Sequence, residues 1–124
     1  MKEIMLYVGS AMITLWGITH IAIPTKDIIN GFGPISIDNK RILAMEWIME
    51  GLALSFIGLL VILITASAGI ENSASTIVYR ASSVMLVIMA GVSSFTGART
   101  SIIPMKLCPP IFVMVAVLYW IGSI

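Results

Sequence analysis

The stretch from Asp38 to Ser67, DNKRILAMEWIMEGLALSFIGLLVILITAS, decides how this chain is read. It opens on charge, passes two carboxylates at Glu46 and Glu50, and continues as a run of apolar and small residues. A helix rises about 1.5 Å per residue, so about 20 such residues cross a hydrocarbon layer about 30 Å thick. The stretch therefore predicts a membrane-crossing helix with two acids on its way in.

The rest of the sequence agrees with that class. Of the 124 residues 59% are apolar and 10% charged, and the mean hydropathy is +1.07. An ordinary soluble domain carries about 25% charged residues, and a domain this small could not hide so much apolar surface from water. The expectation is a single transmembrane domain over residues 1–124, an all-α integral membrane four-helix bundle in the cell membrane with multi-pass topology. A net charge of +1, with no basic tract, excludes nucleic acid as a partner. The lone Cys108 excludes an internal disulfide, a CxxC redox pair and a zinc site built of several thiolates; it reads as a small packing residue.

Outward from the central helix, the first crossing is expected over about residues 4–23 and closes at Pro24, which disfavours helix in the residue before it. With no small-x-small cleavage site after its apolar run, this segment reads as a retained helix and not as a signal peptide. The connector to Ile37 carries Gly31-Phe32-Gly33-Pro34. In it Thr25 can cap a short turn that lays Ile28, Ile29 and Phe32 on the membrane surface; an ordinary ordered loop is the equal alternative. The second crossing is expected over about residues 38–66, with Asp38 as N-cap, Ile37 and Ile42 as a staple, and Gly51, Ser55 and Gly58 as a close-packing face. SAGIENSAS, residues 67–75, is the polar turn. The third crossing follows over about residues 76–98, with Ala90, Gly91, Ser94 and Gly97 as its small face. The fourth is set at about residues 104–123. Pro109 and Pro110 either begin it, leaving about 15 residues where 17 to 25 are usual, or lie inside a helix from near Ile102 that makes Lys106 snorkel.

Lys26, Lys40, Arg41, Arg99 and Lys106 belong to the first and third connections, and only Lys2 and Arg80 to the opposite side. The excess puts those two connections in the cytoplasm and both termini outside.

Glu46 and Glu50, four apart, share one helix face. If hydrocarbon begins near Leu43, they lie roughly 5 and 10 Å deep, where an ionised acid costs on the order of 2 to 3 kcal/mol. They should face the bundle or a wet cavity. The antiparallel order brings His20, at the end of the first helix, to about the depth of Glu46, and Arg99, at the end of the third, to the same leaflet. His20, Glu46 and Glu50 are thus the candidate acid/base residues, and Arg99, Trp47 and Trp16 the candidates for holding a ligand. The blander readings are an ion pair of Arg41 or Arg99 with the acids, a histidine tied to a backbone carbonyl, and tryptophans as anchors or core. Arg80 reads as a snorkelling anchor. No metal and no cofactor is expected: the methionines show no paired spacing beside a His or Cys cluster, and one histidine is too few for haem.

Gly17-Ile18-Thr19-His20, and Asp38 to Arg41 followed by Glu46, resemble over these few residues elements of sterol-isomerase-like membrane proteins of four to five helices. The acid that follows the histidine in that family is missing, and membership is not assigned. The function expected from the residues is an intramembrane polar pocket that binds or transforms a small apolar ligand, such as a terpenoid, sterol-like lipid or quinone, by acid/base chemistry. A dimeric proton-coupled exporter or channel, and a structural subunit of a larger membrane complex, are the alternatives.

Overall fold

The computed structural model describes residues 1–23 and 25–124, and of residues 25 and 26 the backbone alone. The fold is all-α, with no strand among the described residues. Its order is α1 (Lys2–Ala22), the short α2 (Thr25–Asn30), α3 (Ile37–Ala68), α4 (Ser73–Phe95), a 3-10 turn (Gly97–Arg99) and α5 (Ile103–Gly122). The four long helices are each long and apolar enough to cross a membrane.

Each long helix reverses the last. Around the bundle α3 packs on α1, α1 on α5 and α5 on α4, while α3 and α4 touch least. The centre is filled by Leu6, Ile13, Leu54, Val61, Leu86, Phe112 and Val115, none exposed. Leu52, Phe56, Leu59 and Leu63 on α3, and Val84, Val87, Ile88 and Val92 on α4, point outward. A helix apolar on all sides is stable at a surface only where that surface meets lipid.

The expected small face of α3 is its contact with α1. A Cβ placed on Gly51 would lie 2.7 Å from the Gly17 carbonyl oxygen, and one on Gly58 would lie 2.6 Å from that of Ser10. Without a hydrophobic drive between helices in lipid, such close backbone approach is what holds them. On α4 the expectation needs correction. Its buried residues are Ser75, Tyr79, Ser82, Ser83, Leu86 and Ala90, a stripe at three- and four-residue steps, and Gly91 lies one position round from it with nothing within 4 Å. Ala90 packs and Gly97 meets Met105, but Gly91 and Ser94 face outward.

The helix ends depart from expectation by one to three residues, most at α4. Ser36 caps α3, its Oγ accepting the Asn39 N–H at 3.2 Å. Asp38 falls in the first turn, where a carboxylate suits the helix dipole, and Ile37 and Ile42 are exposed and form no staple across an Asp38 cap. Gly69 stops α3 at φ +75°, ψ 170°, a backbone region open essentially to glycine alone. Asn72 caps α4, Oδ1 accepting from Ala74 N at 2.8 Å. α5 starts at Ile103 with Pro104 in its first turn and carries Pro109 and Pro110 inside. Their missing N–H groups leave the Met105 and Lys106 carbonyls without helical donors, close enough to the helix start for polar surroundings to serve them. The expected Thr25 cap lies outside the described residues.

Arg80 behaves as the anchor its position suggests: it is exposed, its guanidinium is 5.8 Å from the Trp120 ring, and its Nε donates to Ser123 Oγ at 3.4 Å. The charge asymmetry makes a direct test of orientation. Ser36 and Ser73 are both exposed at opposite ends, so in a Cys108-free background in intact cells a cysteine at Ser73 should react with an impermeant maleimide and one at Ser36 should not. The reverse pattern would invert the bundle.

Candidate functional site

The site is assembled by the crossing of α1 on α3. Gly17 sits against the Gly51 carbonyl and Ser55, and a Cβ on Gly51 would lie 3.1 Å from the Cβ of His20. Two glycines thus let the last turn of α1 press onto α3 beside Glu50. His20 is 1% exposed. Its ring stacks on Trp47, with centroids 4.7 Å apart, and meets the edge of Trp16 at 5.5 Å. The Trp47 indole N–H donates to the His20 carbonyl oxygen at 2.6 Å, filling one of the acceptors that every helix C-terminus leaves open.

That packing fixes the imidazole. Nδ1 lies 3.3 Å from the Trp16 carbonyl oxygen, which can only accept, so the hydrogen bond assigns the proton to Nδ1 and leaves the Nε2 lone pair free. Nε2 faces Glu50 Oε1 at 3.9 Å and Cys108 Sγ at 3.9 Å. The first distance is an ion-pair separation, too long for a hydrogen bond. The Cys108 thiol donates to the Pro104 carbonyl at 3.5 Å. The bland reading of His20 therefore accounts for one ring nitrogen and leaves the other directed at an acid and a thiol.

Glu50 is the exposed edge of this group, its side chain 30% accessible. It opens into a cleft of about 470 Å³ lined by α2, α3, α4 and α5, where Ile28, Ile29, Phe32, Trp47, Met89 and Met105 supply the apolar walls. A second recess of about 380 Å³ adjoins it across Glu50, Met89 and Met105 and reaches Ser93 and Thr96. Ligand sites have this size and this composition, mostly apolar with few polar groups. At the other end of α3 and α4 the Thr65 and Tyr79 hydroxyls meet at 2.8 Å. α2 covers the cleft; Ile28, Ile29 and Phe32 face the acids and not only the membrane surface.

The six candidate residues divide. His20, Glu50, Trp47 and Trp16 come together. Glu46 lines the same cleft but is exposed, one turn nearer the helix end. Arg99 does not join them: it is exposed on the 3-10 turn with its guanidinium 5.4 Å from the Phe95 ring. Among the described residues neither Arg41 nor Arg99 comes within ion-pair reach of either acid, and Arg41 pairs with Asp38 at 3.8 Å. Neutralisation by those arginines is absent from the structure, and His20 faces the deeper acid.

Cys108 is the member that sequence reading passed over. One signal was present: it lies five residues into α5, about 7.5 Å along the axis, at the end where α1 finishes and α3 begins. A groove of about 340 Å³ between α4 and α5 is apolar apart from Ser83, whose hydroxyl already donates to Ala116 O at 2.8 Å, and it offers no chemistry. No family model, no curated protein and no solved structure matches the chain.

Proposed function

We propose that this is a cell-membrane protein that takes one small apolar molecule with an oxygen-bearing head, of the terpenoid, sterol-like or quinone kind, from the bilayer into the cleft between α3 and α4. Glu50 meets the head there and His20 stands behind it, so that a proton can pass between ligand, carboxylate and imidazole. The observation that carries this is the Glu50 carboxylate, part exposed at the floor of an apolar cleft and 3.9 Å from a buried imidazole nitrogen. An acid at such depth is costly unless it has a use or a partner, and its one described partner is an imidazole nitrogen that can accept a proton. Glu46, exposed one turn away, makes the mouth polar. An exporter's water path has less support: beyond the cleft the bundle is closed by Leu54, Val61, Tyr79, Leu86 and Phe112, all fully buried.

The test is a titration of the detergent-solubilised chain, as its Trp120→Phe variant, with decylubiquinone and with farnesol, reading fluorescence from Trp16 and Trp47. A saturable change is expected for at least one of them. Glu50→Gln should weaken binding about 10-fold, the scale of one hydrogen bond to a charged group, and Glu46→Gln less than about threefold. Unsaturable partitioning for both probes, or a Glu50→Gln variant that binds like the parent, refutes the reading.

A further inference from the structure

We infer that His20, Glu50 and Cys108 form a binding site for a divalent zinc-like cation, with one coordination position open to the cleft. One ligand atom from each, imidazole nitrogen, carboxylate oxygen and thiol sulfur, lies within 4.8 Å of the other two. They come from three different helices, α1, α3 and α5, so no local turn explains their meeting. Zinc binds N, S and O donors at about 2.0 to 2.3 Å in a tetrahedron, which sets donor-to-donor spacings near 3.3 to 3.6 Å. The observed 3.9 Å from Nε2 to each of its neighbours exceeds this by about half an ångström, and the carboxylate and thiol lie within 4.8 Å of each other. Binding would draw the three together by side-chain rotation.

Three further features suit a metal. The imidazole and carboxylate stand at ion-pair separation, too long for a hydrogen bond, so neither donor atom is committed to the other. Nδ1 is held by the Trp16 carbonyl, the outer contact that fixes a metal-binding histidine with its other nitrogen outward. The charges also balance: a divalent ion with one thiolate and one carboxylate is neutral overall, which a site within hydrocarbon requires. Binding takes the proton from the Cys108 thiol and passes it to solvent. The donor set, one soft, one intermediate and one hard atom, fits zinc better than magnesium or calcium, which want oxygen alone.

Three protein ligands and an open fourth position mark a zinc site that does chemistry. Glu50 also lines the cleft, so the inference deepens the ligand-binding reading and rests on it for what the fourth position would meet: a ligand oxygen, or a water made acidic by the ion.

The untagged, chelator-treated chain in detergent should bind one Co²⁺ per chain with a thiolate-to-cobalt charge-transfer band and the intense d–d absorption of a tetrahedral ion, and Zn²⁺ should displace it. Cys108→Ala should abolish the charge-transfer band, and Glu50→Gln should weaken binding at least 10-fold. The parent chain alone decides the main point: cobalt at one equivalent without that band overturns the site, as does a folded Cys108→Ala that binds zinc unchanged. Decylubiquinone uptake by the chain, with no such band when Co²⁺ is added, removes the metal and keeps the cleft. The band without uptake of either amphiphile supports the metal and removes the cleft reading.

Discussion

Gly58→Leu and Gly51→Leu should each undo the packed bundle, while Gly91→Leu should leave its melting temperature within a few degrees of the parent. The contrast lies in what each new side chain meets. At Gly58 even a Cβ runs into Thr14 Oγ1 and the Ser10 carbonyl, and at Gly51 it meets the Gly17 carbonyl. Two of these obstacles are backbone of α1, which can yield only if the helices separate. Overfilling a packed core costs about 1 to 3 kcal/mol for a few added carbons, and exchanging glycine for leucine inside a helix returns less than about 1 kcal/mol. Separation of α1 from α3 also withdraws His20 from Glu50, so stability and ligand binding should fall together. At Gly91 nothing lies within 4 Å, and the leucine enters lipid. Thermal unfolding in detergent, followed by circular dichroism, ranks the three. Equal melting temperatures for the Gly58→Leu and Gly91→Leu chains would mean that α3 turns a different face to α1.

The contrast also marks what could be read from sequence alone. Spans were legible because hydrocarbon thickness imposes a length, and four apolar runs met it. The face of α3 was legible because Gly51, Ser55 and Gly58 fall at helical spacing and two glycines inside an apolar helix have few other uses. The same reasoning failed on α4, where Gly91 and Ser94 also stand at helical spacing but lipid tolerates small residues as readily as a neighbour does. Polarity on α4 marks the buried side instead, through Ser75, Ser82 and Ser83, of which Ser83 donates across to the Ala116 carbonyl of α5 at 2.8 Å.

The site was half legible. Depth along antiparallel helices is one-dimensional, so counting residues set His20 in the leaflet of both acids, at about the level of Glu46; the structure pairs it one turn deeper, with Glu50. Rotation about each axis is set by packing, which residue counting does not reach, and rotation is what turned Arg99 to the surface over Phe95 and Cys108 inward onto His20. A cysteine also gives little sign of its side, since it packs equally well as a small apolar residue.

His20→Ala should destabilise the chain by about 2 kcal/mol and abolish ligand binding, and His20→Phe should recover at least half of the stability and none of the binding. The ring is 1% exposed and clamped by Trp16 and Trp47, so truncation leaves a hole. In a soluble core, removing a buried ring costs about 3 to 5 kcal/mol, part of it transfer from water. Lipid is already apolar, so that part shrinks and the lost packing dominates. Phenylalanine refills the hole with a flat ring that can lie on Trp47. It loses the Nδ1 bond, worth about 1 kcal/mol, without stranding the Trp16 carbonyl, whose helical donor remains. What phenylalanine cannot restore is a nitrogen facing Glu50. That carboxylate would then have no nitrogen within ion-pair reach among the described residues, and neither a proton nor a metal could be shared with α1. Melting temperature and the decylubiquinone and farnesol titrations on the three chains separate the two roles. Full recovery of both by phenylalanine would reduce His20 to a packing ring and leave Glu50 as the only group that acts.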